Sequence, residues 1–313
     1  MTDYFAETRV YCVSLKRQAR KKRVLALGFF DSVHIGHRKI IDFSMKIASD
    51  FELIPSIYTF DNDFFRALGT DEKLVFTLAE RSAILCSLGF APENIIVGTP
   101  SEDVIKMSGE SFLNFISSLN VAAVVCGADF KFGAGGNMGA EDLKNWGKVN
   151  ETAVFVMPLM TEWNRKISSR DIREYLETGE VRIAEHFLGR RYFMRGVVEH
   201  DRGVGKSFGL PTVNISVDSR KLIPAEGVYD TRVRLADGAV YRGVTNIGAR
   251  PTFGEDRKAI ETHILDFDGD LYGKTLSIEF ADRIRGIFKF DSKEELRAQI
   301  LQDIERVRSD TDD

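Results

Sequence analysis

The sequence contains few cysteines and no long apolar run. Three cysteines, Cys12, Cys86 and Cys126, occur in 313 residues, and they are far apart and odd in number. A disulfide framework needs paired cysteines and a structural zinc site needs clustered ones, so the sequence excludes both and predicts reduced thiols. No stretch approaches the roughly 18 apolar residues of a membrane-spanning helix, and we expect no membrane association.

An excess of positive charge is also lacking. The chain has 43 Lys and Arg against 47 Asp and Glu, a formal net charge of −4, and its pI is about 5.9. This balance produces no bulk field that would attract nucleic acid, so we expect no nucleic-acid partner and only local phosphate sites. The N-terminal residues include a basic stretch at 16–23 but no apolar segment of a secretory signal, which predicts a cytoplasmic protein.

The hydrophobic pattern changes once along the chain. From Val24 to about Glu180, short apolar runs alternate with amphipathic stretches, a pattern typical of βαβ units on a parallel sheet. From Arg191 onward, period-two segments separated by Gly and Pro turns predict a small antiparallel barrel. Ser292, with Glu295 three residues later, predicts the start of a closing helix.

We therefore expect an α/β protein of two domains. At 313 residues the chain exceeds the size at which a single core usually stops growing. Residues 1–188 should form a Rossmann-like nucleotide-binding domain, and residues 189–313 a small antiparallel β-barrel with a terminal helix.

An apolar strand followed by His34, Gly36 and His37 predicts a phosphate site. Segment 24–37 leads from a strand through a turn into a helix, where free N–H groups and the positive end of the dipole favour anions. Gly36 lets the backbone approach a nucleotide, and the imidazoles can donate to the charge on an α-phosphate under attack. This indicates nucleotidyl transfer. The alternative for an isolated pair is that one histidine caps the helix and the other packs in the core.

Two later segments favour the same chemistry. Residues 127–133, which include Asp129, follow the apolar strand 121–126 and so lie at the end of a strand where open α/β sheets bind ligands. Ser168 and Ser169 open a helix, while Lys166 and Arg173 can reach phosphates. The alternatives are a surface loop and a capped helix with solvated basic residues.

The second half has its own phosphate-binding pattern. Its glycine-rich loop contains Gly203, Gly205, Lys206 and Gly209. Such a loop can present several N–H groups to polyphosphate, although a plain β-turn is the alternative for the glycines alone. Thr212 and Asn214 alternate with Val213 and Ile215, which predicts that both project from one strand face with oxygens suited to Mg²⁺.

Glu261 is the candidate general base of this half. The alternation places it on one strand face with His263, Leu265 and Phe267. A carboxylate that shares a face with apolar residues is costly unless it is partnered or does chemistry. It could accept the proton of an attacking primary hydroxyl. The alternative is a carboxylate at the barrel rim paired to an arginine.

These motifs resemble known families. His34–Ile35–Gly36–His37 and the later I-S-S segment resemble the H-x-G-H nucleotidyltransferase superfamily. Class I aminoacyl-tRNA synthetases share the first motif and are the rival for this half. The chain has no evident tRNA-binding domain, however, and its acidic pI does not suit a nucleic-acid partner.

Five segments of the second half resemble the riboflavin kinase domain. They are P-T-V-N at 211–214, L-I-P-A-E-G-V-Y at 222–229, N-I-G-A-R-P-T-F-G at 246–254, E-T-H-I-L-D-F-D-G-D-L-Y-G at 261–273 and I-R-G-I-F-K-F at 284–290. With the first half in this order, nearly the whole chain resembles the bacterial family of bifunctional riboflavin kinase and FMN adenylyltransferase.

The resemblance implies two ATP-dependent activities that need Mg²⁺. The second domain would phosphorylate riboflavin to FMN, and the first would adenylylate FMN to FAD with release of pyrophosphate. Glu261 would activate the ribityl 5′-hydroxyl, Thr212 and Asn214 would hold Mg²⁺ and ATP phosphates, and His34 and His37 would stabilise the attack on ATP. The nucleotide- and flavin-binding positions would be Gly28, Asp31, Gly36, Asp129, Ser168, Ser169, Arg173, Gly203, Gly205, Lys206, Gly209, Thr212 and Asn214.

The chain departs from the family pattern at a few positions. Phe29 and Ser32 stand where Asn and Gly are usual, and Arg170 stands where a small hydroxyl residue is usual. Asp201 replaces a usual Gly, and Lys206 replaces a usual Arg, which keeps the charge but loses the bidentate fork. The alternative function is therefore a riboflavin kinase whose first domain binds nucleotide or flavin without transferring an adenylyl group.

Overall fold

The computed structural model describes residues 22–163, 165–199, 210–249 and 258–310. The chain divides into two compact units, Met1–Ser169 and Arg170–Asp313. The helices after Ser168 group with the second unit because they bond to it: Leu176 O accepts from Ala225 N–H at 2.9 Å, and Thr178 O accepts from Arg283 Nη1 at 3.1 Å. The structural boundary between the units therefore lies at the start of these helices, after Ser169. The boundary expected from the sequence, after residue 188, lies behind them.

The first unit is built on a five-stranded parallel sheet. Its strands are β1 (Arg23–Leu27), β2 (Ile54–Phe60), β3 (Ile95–Gly98), β4 (Val121–Gly127) and β7 (Ala153–Met157), in the order β3-β2-β1-β4-β7. Every neighbouring pair is parallel. In the central strand Val24–Leu27 is buried throughout rather than alternately, as expected for a parallel strand covered on both faces.

Helices and two short strand pairs complete this unit. The helices are α1 (Ile35–Asp50), α2 (Phe64–Ala67), α3 (Leu78–Ser87), α4 (Glu102–Ile105), α5 (Gly109–Ser118) and α6 (Ala140–Val149). The pairs are β5 (Lys131–Phe132) with β6 (Met138–Gly139), and β8 (Thr161–Glu162) with β9 (Arg165–Lys166). Thr77 and Glu80 form a capping box that fixes the start of α3.

The second unit is a closed six-stranded antiparallel barrel. Two helices, α7 (Ser169–Thr178) and α8 (Val181–Leu188), precede its strands. The strands are β10 (Tyr192–Glu199), β11 (Val213–Ser216), β12 (Gly227–Arg234), β13 (Val240–Ala249), β14 (Lys258–Ile264) and β15 (Thr275–Arg285), in the closed order β10-β11-β14-β13-β12-β15. Three fully buried threonines, Thr231, Thr245 and Thr262, form a chain of 2.9 Å hydrogen bonds across neighbouring strands of the barrel.

The terminal helix α9 (Lys293–Ser309) begins where the sequence predicts. Ser292 Oγ accepts from Glu295 N–H at 3.1 Å. Arg285 on β15 donates to the buried carboxylate of Asp303 from both Nε and Nη2, which ties the helix to the barrel. The predicted fold class, a parallel α/β unit followed by an antiparallel barrel with a closing helix, is confirmed. Within the described ranges, no helix is both long and apolar enough to cross a membrane.

Candidate active sites

The first site begins with two stacked histidines at the start of α1. His34 is the N-cap residue, and its Nδ1 accepts a hydrogen bond from the backbone N–H of His37 at 3.0 Å. The two rings stack with centroids 3.7 Å apart and planes 7° from parallel. Just before them, Phe30 and Val33 have φ angles of 54° and 44°, a costly conformation for side chains of this size. His34 does cap the helix, as expected if the histidines were structural. Both histidines, however, also line a cavity.

Gly36 leaves room for this arrangement. A Cβ at this position would lie 3.0 Å from Cε1 and 3.1 Å from Nδ1 of His34. A larger residue would therefore push the His34 ring away from His37 and disturb the cap. The tight spacing between the two histidines depends on the glycine between them.

A cavity of about 290 Å³ opens beside the histidines, and we call it the histidine cavity. It brings together the two predicted catalytic histidines and most of the predicted binding positions of the first unit. They are His34, Gly36, His37, Asp129, Ser168 and Ser169. The cavity also includes Lys166, whose ammonium group forms an ion pair with Asp129 at the surface.

Ser32 connects two of the predicted motifs. Its hydroxyl lies 2.8 Å from the hydroxyl of Ser169, and the Ser32 side chain is fully buried. The serine that replaces a usual glycine therefore joins the turn before α1 to the I-S-S segment. It does not obstruct the cavity, since Ser169 still lines it.

A larger cavity of about 530 Å³ lies next to the histidine cavity, and we call it the aromatic cavity. Its walls are rich in aromatic side chains. The aromatic side chains are Phe29, Phe30, His37, Tyr58, Phe60, Phe64, Phe112, Phe130 and Phe132. Gly28, another predicted binding position, lines it too.

Phe29 forms part of a stacked wall of this cavity. Its ring stacks on Phe60 with centroids 5.6 Å apart and on Phe65 at 4.7 Å. The ring centroids of Phe60 and Phe64 lie 3.9 Å apart. The aromatic residue that replaces a usual asparagine is therefore part of a packed aromatic surface.

Arg81 stabilises this wall by contacts with Phe29 and Phe60. It is completely buried, and its guanidinium lies 5.0 Å from the centre of the Phe29 ring. Its Nη1 donates to Phe29 O at 3.1 Å and to Thr59 Oγ1 at 3.2 Å, and its Nη2 donates to Phe60 O at 2.7 Å. Burial lowers the pKa of Arg81 to about 10, although the negative charge of Asp31 opposes that shift. The side chain is still protonated at neutral pH, so it supports the wall as a cation.

The two cavities meet at one edge of the sheet. His37, Ile40, Gly127 and Asp129 line both of them. Gly127 is the last residue of β4 and Asp129 follows it, and His37 and Ile40 lie in the first turns of α1, so this is the carboxyl end of the parallel strands. A ligand in one cavity can therefore reach a ligand in the other beside His37.

Two predicted positions have other surroundings. Asp31 is buried, its carboxylate oxygens accept from Val75 N–H at 3.1 and 3.3 Å, and it lines neither of these cavities. Arg173 is buried on α7, in the second unit.

The second site centres on Thr212 and Glu261. Thr212 lies just before β11, and its hydroxyl donates to Glu261 Oε1 at 2.6 Å. Asn214 lies directly opposite Glu261 in the antiparallel pairing of β11 with β14. The structure thus brings together the predicted metal ligands and the predicted base. The loop residues Gly203, Gly205, Lys206 and Gly209 lie outside the described residues.

The expected strand face of Glu261 needs correction. In β14 the buried alternate residues are Ile260, Thr262 and Ile264, whereas Glu261 and His263 are half-buried on the other face. The strand ends at Ile264, so the predicted alternation does not continue through Leu265 and Phe267. Glu261 therefore does not share its face with the apolar core, and partial solvation reduces the cost of its charge.

His263 has a role that the sequence pattern did not indicate. Its Nδ1 donates to Pro211 O at 2.8 Å, since a carbonyl can only accept. This bond holds the residue before Thr212 against β14. A cavity of about 270 Å³ lies beside it, lined by Val198, Pro211, Thr212, Val213, Ile264, Phe267, Asp268, Gly269, Asp270, Leu271 and Tyr272.

Comparison with family models gives one match for each part of the chain. Residues 16–171 match FAD synthetase, and residues 188–310 match riboflavin kinase. Among solved structures, a macrolide-efflux protein from Streptococcus pneumoniae is similar, with a TM-score of 0.85 and 30% sequence identity. The likeness covers 95% of this chain and 97% of that one, so both units have a counterpart there.

Curated relatives match this chain over nearly its whole length. The bifunctional riboflavin kinase/FMN adenylyltransferase of Bacillus subtilis is 35% identical, over 92% of each chain. The enzymes of that name from Listeria monocytogenes and Haemophilus influenzae are 32% and 30% identical and are covered to 92% and 93%. With both domain models matched in the expected order, the chain belongs to the family of bifunctional riboflavin kinase/FMN adenylyltransferases.

Proposed function

We propose that this chain makes FAD from riboflavin in two ATP-dependent steps, one in each unit. The second unit transfers the γ-phosphoryl group of ATP to riboflavin, and the first transfers the adenylyl group of a second ATP to the resulting FMN. The observation that best supports adenylyl transfer is the meeting of the histidine and aromatic cavities at His37 and Asp129. It allows two ligands of different chemistry to react at one point.

The aromatic cavity suits the flavin. An isoalloxazine ring is flat and largely apolar, and stacked aromatic side chains favour such a ring. With the ring between these walls, the FMN phosphate would lie toward His37 and the ATP would occupy the histidine cavity. The α-phosphorus of ATP would then be within reach of an FMN phosphate oxygen.

The histidines would stabilise the charge that develops in this step. An FMN phosphate oxygen bonds to the α-phosphorus of ATP, the bond from that phosphorus to the bridging oxygen breaks, and pyrophosphate leaves. Because Nδ1 of His34 accepts the His37 N–H, a neutral His34 ring carries its proton on Nε2. That nitrogen is the one that can donate to a phosphate oxygen.

Glu261 would be the base of the kinase step. Its Oε1 accepts from Thr212, which leaves Oε2 for the proton of the ribityl 5′-hydroxyl. The hydroxyl oxygen then bonds to the γ-phosphorus, and ADP leaves. The cavity beside Thr212 has mainly apolar walls and does not include Glu261, so it suits the adenine ring better than the reacting hydroxyl.

The oxygens of the second site fit a magnesium ion. Thr212 and Asn214 supply a hydroxyl and an amide oxygen beside the Glu261 carboxylate, the hard donors that Mg²⁺ takes together with substrate phosphates. The ion would neutralise charge on the transferred phosphoryl group. We assign Thr212 and Asn214 to hold it, and we place the enzyme in the cytoplasm, where ATP is plentiful.

The kinase-only alternative rests on Phe29, Ser32 and Arg170. Phe29 packs into the aromatic wall, and Ser32 bonds to Ser169 without closing the histidine cavity. These two substitutions therefore leave both cavities of the first unit open to ligands, which favours a working adenylyltransferase.

Chromatography of the flavins formed by the purified protein tests the proposal. One reaction contains riboflavin, ATP and Mg²⁺, a second starts from FMN, and a third omits Mg²⁺. We expect FMN and then FAD in the first, FAD in the second and neither in the third. FMN without FAD in the first two would establish the kinase-only alternative, and no FMN at all would refute the proposal.

A further inference from the structure

A row of four polar residues crosses the barrel at the second site. Glu199 on β10 lies opposite Asn214 on β11, Asn214 lies opposite Glu261 on β14, and Glu261 lies opposite Asn246 on β13. Residues directly opposite in antiparallel strands share a face, with Cβ atoms about 5 Å apart. Asn246 is therefore as near a neighbour of Glu261 as Asn214 is, on the other side.

The amide of Asn246 is available to a ligand. The residue is half-buried, and its side chain has no hydrogen bond to any described residue. Two residues farther on the same strand face, Gly248 has no side chain. A Cβ there would meet only Asn246 Nδ2, at 3.7 Å. Among the described residues, this part of β13 beside Glu261 therefore carries one amide whose donors and acceptors have no protein partner.

We infer that Asn246 binds the hydroxyl chain of the flavin substrate and holds its terminal hydroxyl against Glu261. The inference rests on the proposed kinase function. In phosphoryl transfer the attacking and leaving oxygens lie on opposite sides of the transferred phosphorus. In the proposed function Thr212 and Asn214 hold the phosphates over β11, which pairs with one side of β14, while β13 pairs with the other. The alcohol would then approach Glu261 from the β13 side.

An amide suits this task. It can both donate to and accept from the secondary hydroxyls of a polyol, which a carboxylate or an ammonium group cannot do. Being neutral, it adds no second charge beside the Glu261 carboxylate. Asn246, on the face of β13, would therefore make the site specific for a polyhydroxylated alcohol.

Steady-state kinetics of riboflavin phosphorylation with Asn246→Ala and Asn246→Asp tests the inference. We expect Asn246→Ala to raise KM for riboflavin about tenfold and to change KM for ATP less than twofold, since one or two hydrogen bonds to the polyol are lost. Asn246→Asp keeps the shape but loses the donors and places a second carboxylate opposite Glu261. It should raise KM for riboflavin similarly and also lower kcat.

Two controls separate this role from folding and from the proposed function. Gln302→Glu makes the same amide-to-carboxylate change on an exposed part of α9 and should leave all constants unchanged. FAD formation from supplied FMN, in the first unit, should be normal in every variant. Unchanged riboflavin KM in both Asn246 variants would overturn the inference, as would equal rises in both KM values. If Asn246→Ala unfolds the barrel, the isosteric Asn246→Asp decides the matter. Absence of FMN formation by the unaltered protein would instead refute the proposed function.

Discussion

The hydroxyl of Ser32 lies 2.8 Å from that of Ser169, 137 residues later in the chain. Ser32 belongs to the turn that carries His34, and Ser169 lines the histidine cavity. This partly buried hydrogen bond therefore links the two segments between which we place the ATP.

Replacing Ser32 with alanine should weaken ATP binding in the adenylyl step. The lost hydrogen bond contributes about 1 kcal/mol, which corresponds to about a fivefold change in affinity. We expect KM for ATP in FAD formation to rise by about that factor while riboflavin phosphorylation is unchanged. Ser118→Ala is the matched control, because Ser118 is an exposed residue of α5 whose Oγ donates to Phe115 O. An unchanged KM in Ser32→Ala would show that the link does not position Ser169.

We expect the buried Arg81 to be essential for the stability of the first unit. In Arg81→Met the carbonyls of Phe29 and Phe60 lose their buried donors, and each such loss costs about 1–3 kcal/mol. In Arg81→Lys the ammonium group keeps the charge but cannot reach both carbonyls and Thr59 as the guanidinium does. We therefore expect a loss of stability that is smaller than that of Arg81→Met. Urea unfolding followed by FAD-forming activity measures both effects.

The Arg81 variants should also distort the flavin wall. Because Phe29 stacks on Phe60 and Phe65, a shift of its backbone moves the surface that we propose for the isoalloxazine. KM for FMN should rise at temperatures where Arg81→Lys is still folded, and KM for riboflavin in the kinase step should not. Arg38→Met is the control, since the exposed side chain of Arg38 pairs with the exposed Asp42 and its loss should have little effect. Wild-type stability of Arg81→Met would contradict this account.

Sequence patterns predict the features that depend on periodicity and on local motifs. The buried strand Val24–Leu27, the alternating strands of the barrel and the Ser292 cap are all of this kind. The histidine cavity was also predictable, because its residues come from a few short segments that end at the same edge of the sheet. Chain order and strand direction suffice to bring His37 and Asp129 together.

Other features needed the three-dimensional pairing. The aromatic wall combines Phe29 with Phe60 and Phe64, which lie more than 30 residues later in the sequence. A phenylalanine in the sequence also gives no sign of whether it will line a cavity or pack in the core. The neighbour relation of Asn246 to Glu261 depends on strand register. The expected face of Glu261 was wrong because the alternation was extended past Ile264, where the strand ends.

Cys126 should be unreactive in the folded protein. Burial raises the pKa of its thiol to about 11, with a smaller contribution from the negative charge of Asp129. The reactive thiolate is thus only about a thousandth of the population at pH 8, and the side chain has no exposed surface. Iodoacetamide followed by peptide mass analysis should label Cys126 only after unfolding. Burial also raises the pKa of Cys86, but this thiol is partly exposed and should label faster. Rapid native labelling of Cys126 would contradict its burial.

The two activities should be separable by single substitutions, because the proposed groups lie in different units. His37→Ala removes a donor at the junction of the two cavities, and loss of such electrostatic stabilisation costs about 10² to 10³ in rate. It should impair FAD formation from FMN and leave FMN formation intact. Glu261→Ala removes the proposed base beside Thr212, which should lower riboflavin phosphorylation about 10² to 10⁴-fold and leave FAD formation from supplied FMN intact. Each variant is thus the other's control when both reactions are assayed on one preparation. Loss of both activities in either variant, with an unchanged unfolding curve, would mean that the two sites do not work independently.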